Sequence, residues 1–372
     1  MKILVIGTPK RHSGSHLPGF DNVLLGLKGW GAGLDHYPNI LTQSLSGIGD
    51  YEFKFKGSDI SYPEYHAVED NLKKGHYGLI ITTVSRVDYM AGKHGLISRV
   101  TREFKYSLEA NKHKLGGTIV TDWIKEGVRL PPFIVIDDTD DPFIWSVNLD
   151  LLLNCRLYFK RELPFDRFFC FRMFESQLKN EKKVELADKL RPCWISYDRE
   201  LVSRFFDINN LKPYAERGLD INFICDPFTN HIRTRTLRFL EGIEGRHKIA
   251  TARSGRLGRQ EFYKLLCDSK IGISLPGRGW DCFRHYEVLL SGALLFATRP
   301  SIEFARPLKD GENCVFIESD LSDLEGKLKF YLGNPSAAQK IAGKGNELAR
   351  GSMHNGKLAE YIMETLKGAD VL

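Results

Sequence analysis

The sequence predicts an α/β protein built from two doubly wound domains. Three observations carry that prediction. Continuous apolar runs of strand length recur along the chain, among them KILVIG at residues 2–7, GLIITTV at 78–84 and PFIVID at 132–137; apolar runs without alternation mark parallel strands covered on both faces. Charged or amphipathic helical stretches separate these runs, so β and α alternate. The length, 372 residues, exceeds one ordinary core and suits two domains of roughly 150 to 200 residues each.

The first strand, residues 2–7, runs into a long polar loop, TPKRHSGSHLPGFDN, and then an amphipathic helix around 23–29. A strand feeding such a loop opens many Rossmann-like domains, although G-x-G-x-x-G is absent here. YEFKFK at 51–56 alternates as a strand, VEDNLKKG reads as a crossover helix ended by Gly75, residues 97–115 as a charged helix and 117–121 as a further strand. CRLYFKR at 155–161 is the next strand, and 174–191 a charged helix. Strand patterning pauses over 192–213, so the first domain is expected to span 1–195 and the second 196–350, with a terminal helical stretch at 351–372. DINFIC at 220–225 opens the second domain and leads through DPFTN into the basic helix HIRTRTLRFLEGI. HKIATARSGRLGR supplies a strand and a basic loop. Strands at 271–275, 293–298 and 314–318 and helices at 261–269, 321–332, 336–349 and 356–366 complete the pattern.

Composition excludes several classes. At 42% hydrophobic and 27% charged, with no low-complexity tract, the chain reads as globular. Its apolar runs fall far short of the ~20 residues of a membrane span. A strand follows Met1 directly, so no leader is read and a cytoplasmic location is expected. Seven cysteines, odd in number and never spaced C-x-x-C, point to reduced thiols rather than to zinc or disulfides. A net charge of +6 is mild and is accounted for by a site for an anionic ligand.

The chemistry concentrates in KIGISLPGRGWDCFRHYEVLLSGALLFAT, residues 270–298. This is a strand, a turn containing Pro276, Gly277 and Gly279, a helix opening near Asp281, and a second strand. With Asp281 as N-cap, the helix would direct free N–H groups and the positive end of its dipole at a phosphate above the strand. Arg278, Arg284 and His285 surround that seat. Arg284 and Glu287, three apart, share a helix face, a cation for a diphosphate beside a carboxylate for ribose hydroxyls. His231, Arg233 and Arg235 begin the helix after the first strand of the second domain, a second anion seat; Arg233 and Arg235, two apart, cannot point the same way, and Arg233 is favoured for the diphosphate. Arg253, Arg256 and Arg259 are further basic candidates, each also consistent with solvated charge.

The run PGRGWDCFRHYEVLLSGALLF resembles the donor-site motif of nucleotide-sugar-dependent glycosyltransferases with the GT-B fold, particularly the exostosin-like and spore-coat-maturation-like families. The continuation LKDGENCVFIESDLSDLEGKLKFYLGNPSAAQKIAGKGNELA is similar to theirs, and the likeness is good over 220–366 and thinner over 131–164. It implies two Rossmann-like domains facing a central cleft, a terminal helix crossing back to the first, and a nucleoside-diphosphate sugar as donor. A UDP-sugar is favoured. No cofactor beyond this co-substrate is implied. By the same analogy the loop at 8–22 faces the cleft, which makes His12, Ser13, Ser15 and His16 candidate acceptor or catalytic groups. Some retaining families carry two glutamates eight apart on this helix; here Gly279 stands eight before Glu287, a departure from that pattern.

DDTDDP, residues 137–142, sits at the carboxyl end of a strand, where ligands of open α/β sheets bind. One of Asp138, Asp140 and Asp141 could act as a base toward an acceptor hydroxyl, the group could bind a divalent metal, or its aspartates could simply cap a turn. Lys160 and Arg161 could project into the cleft or lie on a solvated edge. With the diphosphate held by N–H groups, Arg284 and Arg233 or Arg278, the leaving nucleotide would be stabilised without a metal. Two other classes stay open: a nucleotide-sugar epimerase of the same fold, and a nucleic-acid-binding or DNA-base-glucosylating protein, suggested by Trp194, Phe205 and Phe206 near basic residues. The acceptor is not written in the sequence.

Overall fold

The computed structural model describes residues 2–7, 27, 33–37, 60–61, 65–85, 116–199, 205–207, 211–251 and 257–371. They form two parallel sheets. The first holds β1 (Lys2–Ile6), β2 (Gly33–Tyr37), β3 (Ile60–Ser61), β4 (Leu79–Thr83), β5 (Phe133–Asp137), β6 (Leu157–Lys160) and β7 (Leu190–Pro192), in the order β3-β2-β1-β4-β5-β6-β7. The second holds β8 (Leu219–Phe223), β9 (Ile249–Thr251), β10 (Ser269–Ile273), β11 (Leu294–Thr298) and β12 (Val315–Ile317), in the order β12-β11-β10-β8-β9. Every pairing is parallel. Strand order reverses between β1 and β4 and between β8 and β10, the points at which open sheets leave a crevice beyond their carboxyl ends.

The strands are apolar on both faces because both are covered: β4, β5 and β11 are buried at every residue. The covering helices are α1 (Tyr65–Lys73), α2 (Gly117–Lys125), α3 (Leu149–Asn154), α4 (Asn180–Ala187), α5 (His231–Ile243), α6 (Arg259–Cys267), α7 (Phe283–Leu290), α8 (Leu324–Gly333), α9 (Pro335–Ser352) and α10 (Asn355–Gly368). Gly75, at φ 66°, follows the end of α1 in the left-handed conformation that glycine adopts at low cost.

The stretch 117–121, expected as a strand, is helical instead. It opens α2, whose buried Ile119, Val120 and Trp123 recur at helical spacing, and β4 pairs directly with β5, leaving no slot between them. A Cβ on Gly117 would stand 2.6 Å from Thr83 O, so glycine there lets the helix approach the end of β4. The local preference of β-branched residues yields to this packing. Strands β2, β3 and β7 were not anticipated. The expected elements at 23–29, apart from Leu27, at 51–56 and at 97–115 lie outside the described residues.

α10 packs across the first sheet. Leu358, Ile362 and Leu366 share one core with Ile3, Val5, Ile81, Ile134, Ile136 and Phe159, and that core continues into Leu289, Leu295 and Ala297 of the second domain. Trp194 Nε1 donates to Met353 O at 3.2 Å and Asn355 N to Tyr197 O at 2.8 Å, so the crossing chain and the terminal helix are tied together. No helix among the described residues is long and apolar enough to cross a membrane. All seven cysteines are free.

Candidate functional site

β8 and β10 are parallel neighbours, so the turns after both strands and the starts of α5 and α7 open on one edge of the second sheet. Gly272 in β10 makes this possible, since a Cβ there would meet Val288 Cγ1 at 2.6 Å; its absence seats α7 against the sheet. The turn after β10 is held from below. Asn230 Nδ2 donates to Gly277 O at 3.0 Å, and Gly277 N to Gly279 O at 3.1 Å. Arg233 donates twice to Leu275 O, at 3.2 and 2.8 Å, and to Thr229 Oγ1 at 2.8 Å. Its guanidinium thus lies beneath Pro276 and Gly277 and buttresses them. Arg235 turns away and donates to Asp320 O at 2.7 Å. Arg278 is exposed at the tip of the turn.

Asp281 does not cap α7. The cap position belongs to Cys282, which makes no side-chain capping bond. Asp281 is buried, and its carboxylate is satisfied by longer-range donors, Ile195 N at 2.9 Å and Tyr286 Oη at 2.8 Å. Burial raises its carboxyl above the ordinary range, against the pull of Arg161.

On α7, Arg284 Nη1 lies 3.5 Å from Glu287 Oε2, and the guanidinium rests on the Phe262 ring at 4.1 Å. Arg284 Nε and Nη1 are buried without a hydrogen-bond acceptor among the described residues. Tyr263 Oη donates to Glu287 Oε1 at 3.2 Å. Burial pushes the Glu287 carboxyl up, and Arg284 and Tyr263 oppose the shift. Here a cation with unmet donors stands beside a carboxylate with acceptor capacity, which is the chemistry that binds a phosphate next to a hydroxyl pair. His285 is buried, with Nδ1 2.6 Å from Ser274 Oγ and 3.8 Å from Cys282 Sγ. Burial opposes charge on both partners, yet their mutual attraction lowers the Cys282 thiol and raises His285.

The first domain contributes the loop after β5 and the segment after β6. Asp137 is buried and accepts from Lys160 Nζ at 3.0 Å, Tyr158 Oη at 2.9 Å and Thr139 Oγ1 at 2.6 Å. Lys160 is fully buried and holds this aspartate from inside the domain. Asp141 accepts from Trp145 Nε1 at 2.9 Å. Asp140 pairs with Arg161, while Asp138 and Arg161 line a small cavity with Ile136, Cys193, Trp194 and Leu358. Among the described residues no group of three His, Cys, Asp or Glu side chains is arranged to hold a metal ion. His12, Ser13, Ser15 and His16 lie outside the described residues, as do Arg253 and Arg256.

One residue of the site stands in the stretch YFKRELP and received no role from the sequence. Glu162, just past β6 and buried, reaches into the second domain, where Oε2 accepts from Trp280 N at 2.8 Å and Oε1 from Asp281 N at 2.9 Å. A Cβ on Gly279 would stand 2.5 Å from Glu162 Cδ, so the carboxylate fills the space beside that glycine. Burial pushes Glu162 up to about 7, against the pull of Arg161 and the two N–H groups and with the added push of Asp281. Its signal in the sequence was its place just beyond the carboxyl end of an apolar strand.

The aromatics that suggested a nucleic-acid surface are internal. Trp194 and Phe206 are buried, with Arg306 stacked on the Trp194 ring at 4.7 Å, and Phe206 and Phe205 pack on Tyr263 at 4.7 and 5.1 Å.

Residues 211–364 match a family model described as glycosyl transferase-like. Among solved structures, HepE of Anabaena in complex with UDP and glucose aligns over 99% of this chain and 100% of its own, at 12% identity and TM-score 0.53. A glycosyltransferase of Rickettsia africae aligns over 99% and 98%, at 14% identity and TM-score 0.57. Sucrose-phosphate synthase of Thermosynechococcus elongatus aligns over 99% and 99%, at 10% identity and TM-score 0.51. What is shared over the whole length is the fold: two parallel-sheet domains in the GT-B arrangement. A search of curated proteins found no match.

Proposed function

We propose that the protein is a glycosyltransferase that takes a nucleoside-diphosphate sugar, with a UDP-sugar favoured, and transfers the sugar to an acceptor hydroxyl in glycan or surface polysaccharide synthesis. The observation that carries this is Arg284, whose buried Nε and Nη1 lack acceptors among the described residues while Glu287 stands 3.5 Å away on the same face. The glycosyl transferase-like match over 211–364 contains both residues. The structures of HepE with UDP and with UDP-glucose support UDP as the nucleotide.

In this reading Glu287 accepts from the ribose hydroxyls and Arg284 meets the diphosphate. Charge grows on the leaving nucleotide as the bond to the sugar breaks, and a donor pointed at that charge from a dry site lowers the barrier by about 2.7 to 4 kcal/mol. Arg233 holds the turn above which the diphosphate lies. Arg278 and the N–H groups at the start of α7 complete the seat, and no divalent metal or further cofactor is required. The acceptor approaches from the first domain, past Asp138 and Asp140.

The test follows UDP release from a panel of UDP-sugars, with and without a chelator, for the wild type and Arg284→Ala. Slow acceptor-free release that depends on Arg284 and survives chelation is expected. Isomerised nucleotide sugar with no UDP released indicates an epimerase, and no turnover of any donor overturns the reading.

A further inference from the structure

Glu162 has no part in the transfer just described, yet it is where the first domain grips the second. The segment that follows β6 runs along the second domain for several residues. Glu162 takes the N–H groups of Trp280 and Asp281, Leu163 O accepts from Glu303 N at 2.7 Å, and Arg167 forms a two-point pair with Glu303 at 2.7 and 2.9 Å. Of these contacts, only the Glu162 contact reaches the turn that leads into α7. Two successive N–H groups captured by the two oxygens of one carboxylate fix the position and tilt of that turn. A neutral amide offers one such acceptor and sets an N–H against the other donor.

Retaining a buried carboxylate there is costly for the fold, since ionised groups lose hydration on burial. The absence of a side chain at Gly279 admits it. We propose that Glu162 is a positioning residue of the donor site: its carboxylate sets the 279–281 turn from the opposite domain, so that donor binding and interdomain contact become one event. The inference rests on the donor-site reading above and adds to it the link between the domains. Arg284 on the following helix then takes its position from both halves of the molecule.

The test is calorimetric titration of the full chain with UDP. The proteins are the wild type, Glu162→Ala, Glu162→Asp, Gly279→Ala, the Glu162→Ala/Gly279→Ala double variant, and Arg284→Ala as a control. Glu162→Ala and Gly279→Ala each weaken UDP binding by about tenfold, the loss expected for one charge-assisted hydrogen bond. The double variant binds no worse than Glu162→Ala, because the methyl group no longer meets a carboxylate. Glu162→Asp, with the charge on a shorter arm, falls between. Melting temperatures are read alongside, since a purely structural role lowers them and leaves the affinity of the folded protein unchanged. Wild-type affinity in Glu162→Ala, or additive losses in the double variant, overturns the inference while Arg284→Ala still reports a donor site. If the wild type binds no UDP, or Arg284→Ala binds as well as the wild type, the reading of this site as a UDP-sugar donor site fails and the inference falls with it.

Discussion

Arg284 Nη1 and Glu287 Oε2 stand 3.5 Å apart on one face of α7, with the guanidinium lying flat on Phe262 at 4.1 Å. The ring and the carboxylate orient the cation without using up its donors, for Nε and Nη1 have no hydrogen-bond acceptor among the described residues. A group held ready in this way acts on charge as it develops. Arg284→Ala is therefore expected to lower UDP release by 10²- to 10³-fold, roughly 2.7 to 4 kcal/mol of barrier, with little change in melting temperature. Arg284→Lys restores the charge but not the fork and recovers a minor part. Turnover assays on purified variants check this.

Glu162 gives a pH prediction with a definite sign. Its carboxyl moves from the ordinary 4.5 up to about 7 in the folded protein, chiefly through burial. A carboxyl raised on folding contributes stability that is fully present below its unfolded value and is lost as pH rises through its folded value. Arg161 on its own segment and the N–H groups of Trp280 and Asp281 pull the value down, and the Asp281 carboxylate pushes it up. Glu162→Gln removes the titration and sets one N–H against a backbone donor at every pH, so the change with pH, and not the absolute melting temperature, is compared. The wild type is expected to lose stability relative to Glu162→Gln between about pH 5 and pH 8, measured as melting temperature across that range.

The pair Lys160–Asp137, 3.0 Å apart and with both side chains almost wholly buried, anchors the carboxyl ends of β5 and β6. Removing one partner leaves a buried charge uncompensated. Lys160→Met is expected to cost about 3 to 5 kcal/mol, while Lys160→Met with Asp137→Leu recovers most of it. Urea denaturation of the three proteins decides.

Gly272 is the point where α7 touches β10, and a Cβ there would lie 2.6 and 2.7 Å from the two Val288 methyl carbons. Gly272→Ala is expected to destabilise by about 1 to 3 kcal/mol through overpacking. Adding Val288→Ala relieves it. Both effects are read from denaturation midpoints, and the single variant should also weaken UDP binding because α7 carries Arg284.

The donor stretch was legible because it is local. Strand, turn, helix and strand follow within residues 270–298, and each boundary has its own signal in glycine, polar or apolar residues. Where the sequence misled, a distant partner decided the outcome. Residues 117–121 carry a strand-like composition, but a helix was selected by contact with Thr83 and Leu151. β2 was hidden because Asp35 interrupts its pattern; that aspartate is buried and paired with Tyr77 Oη at 2.7 Å and Lys2 Nζ at 2.9 Å. Asp281 looked like a cap because it precedes a helix, and its true partners are Ile195 and Tyr286. Glu162 meets Trp280 N across 118 positions of sequence, a span that no local pattern reveals.

The most direct test of the account is calorimetric binding of UDP-, GDP-, ADP-, CMP- and dTDP-sugars to the wild type and to Glu287→Ala, each with and without a divalent metal. Selective binding of one nucleotide, independent of metal and weakened about tenfold or more by the substitution, is the predicted result. Binding of no nucleotide, or equal affinity in Glu287→Ala, would contradict a donor site at the head of α7.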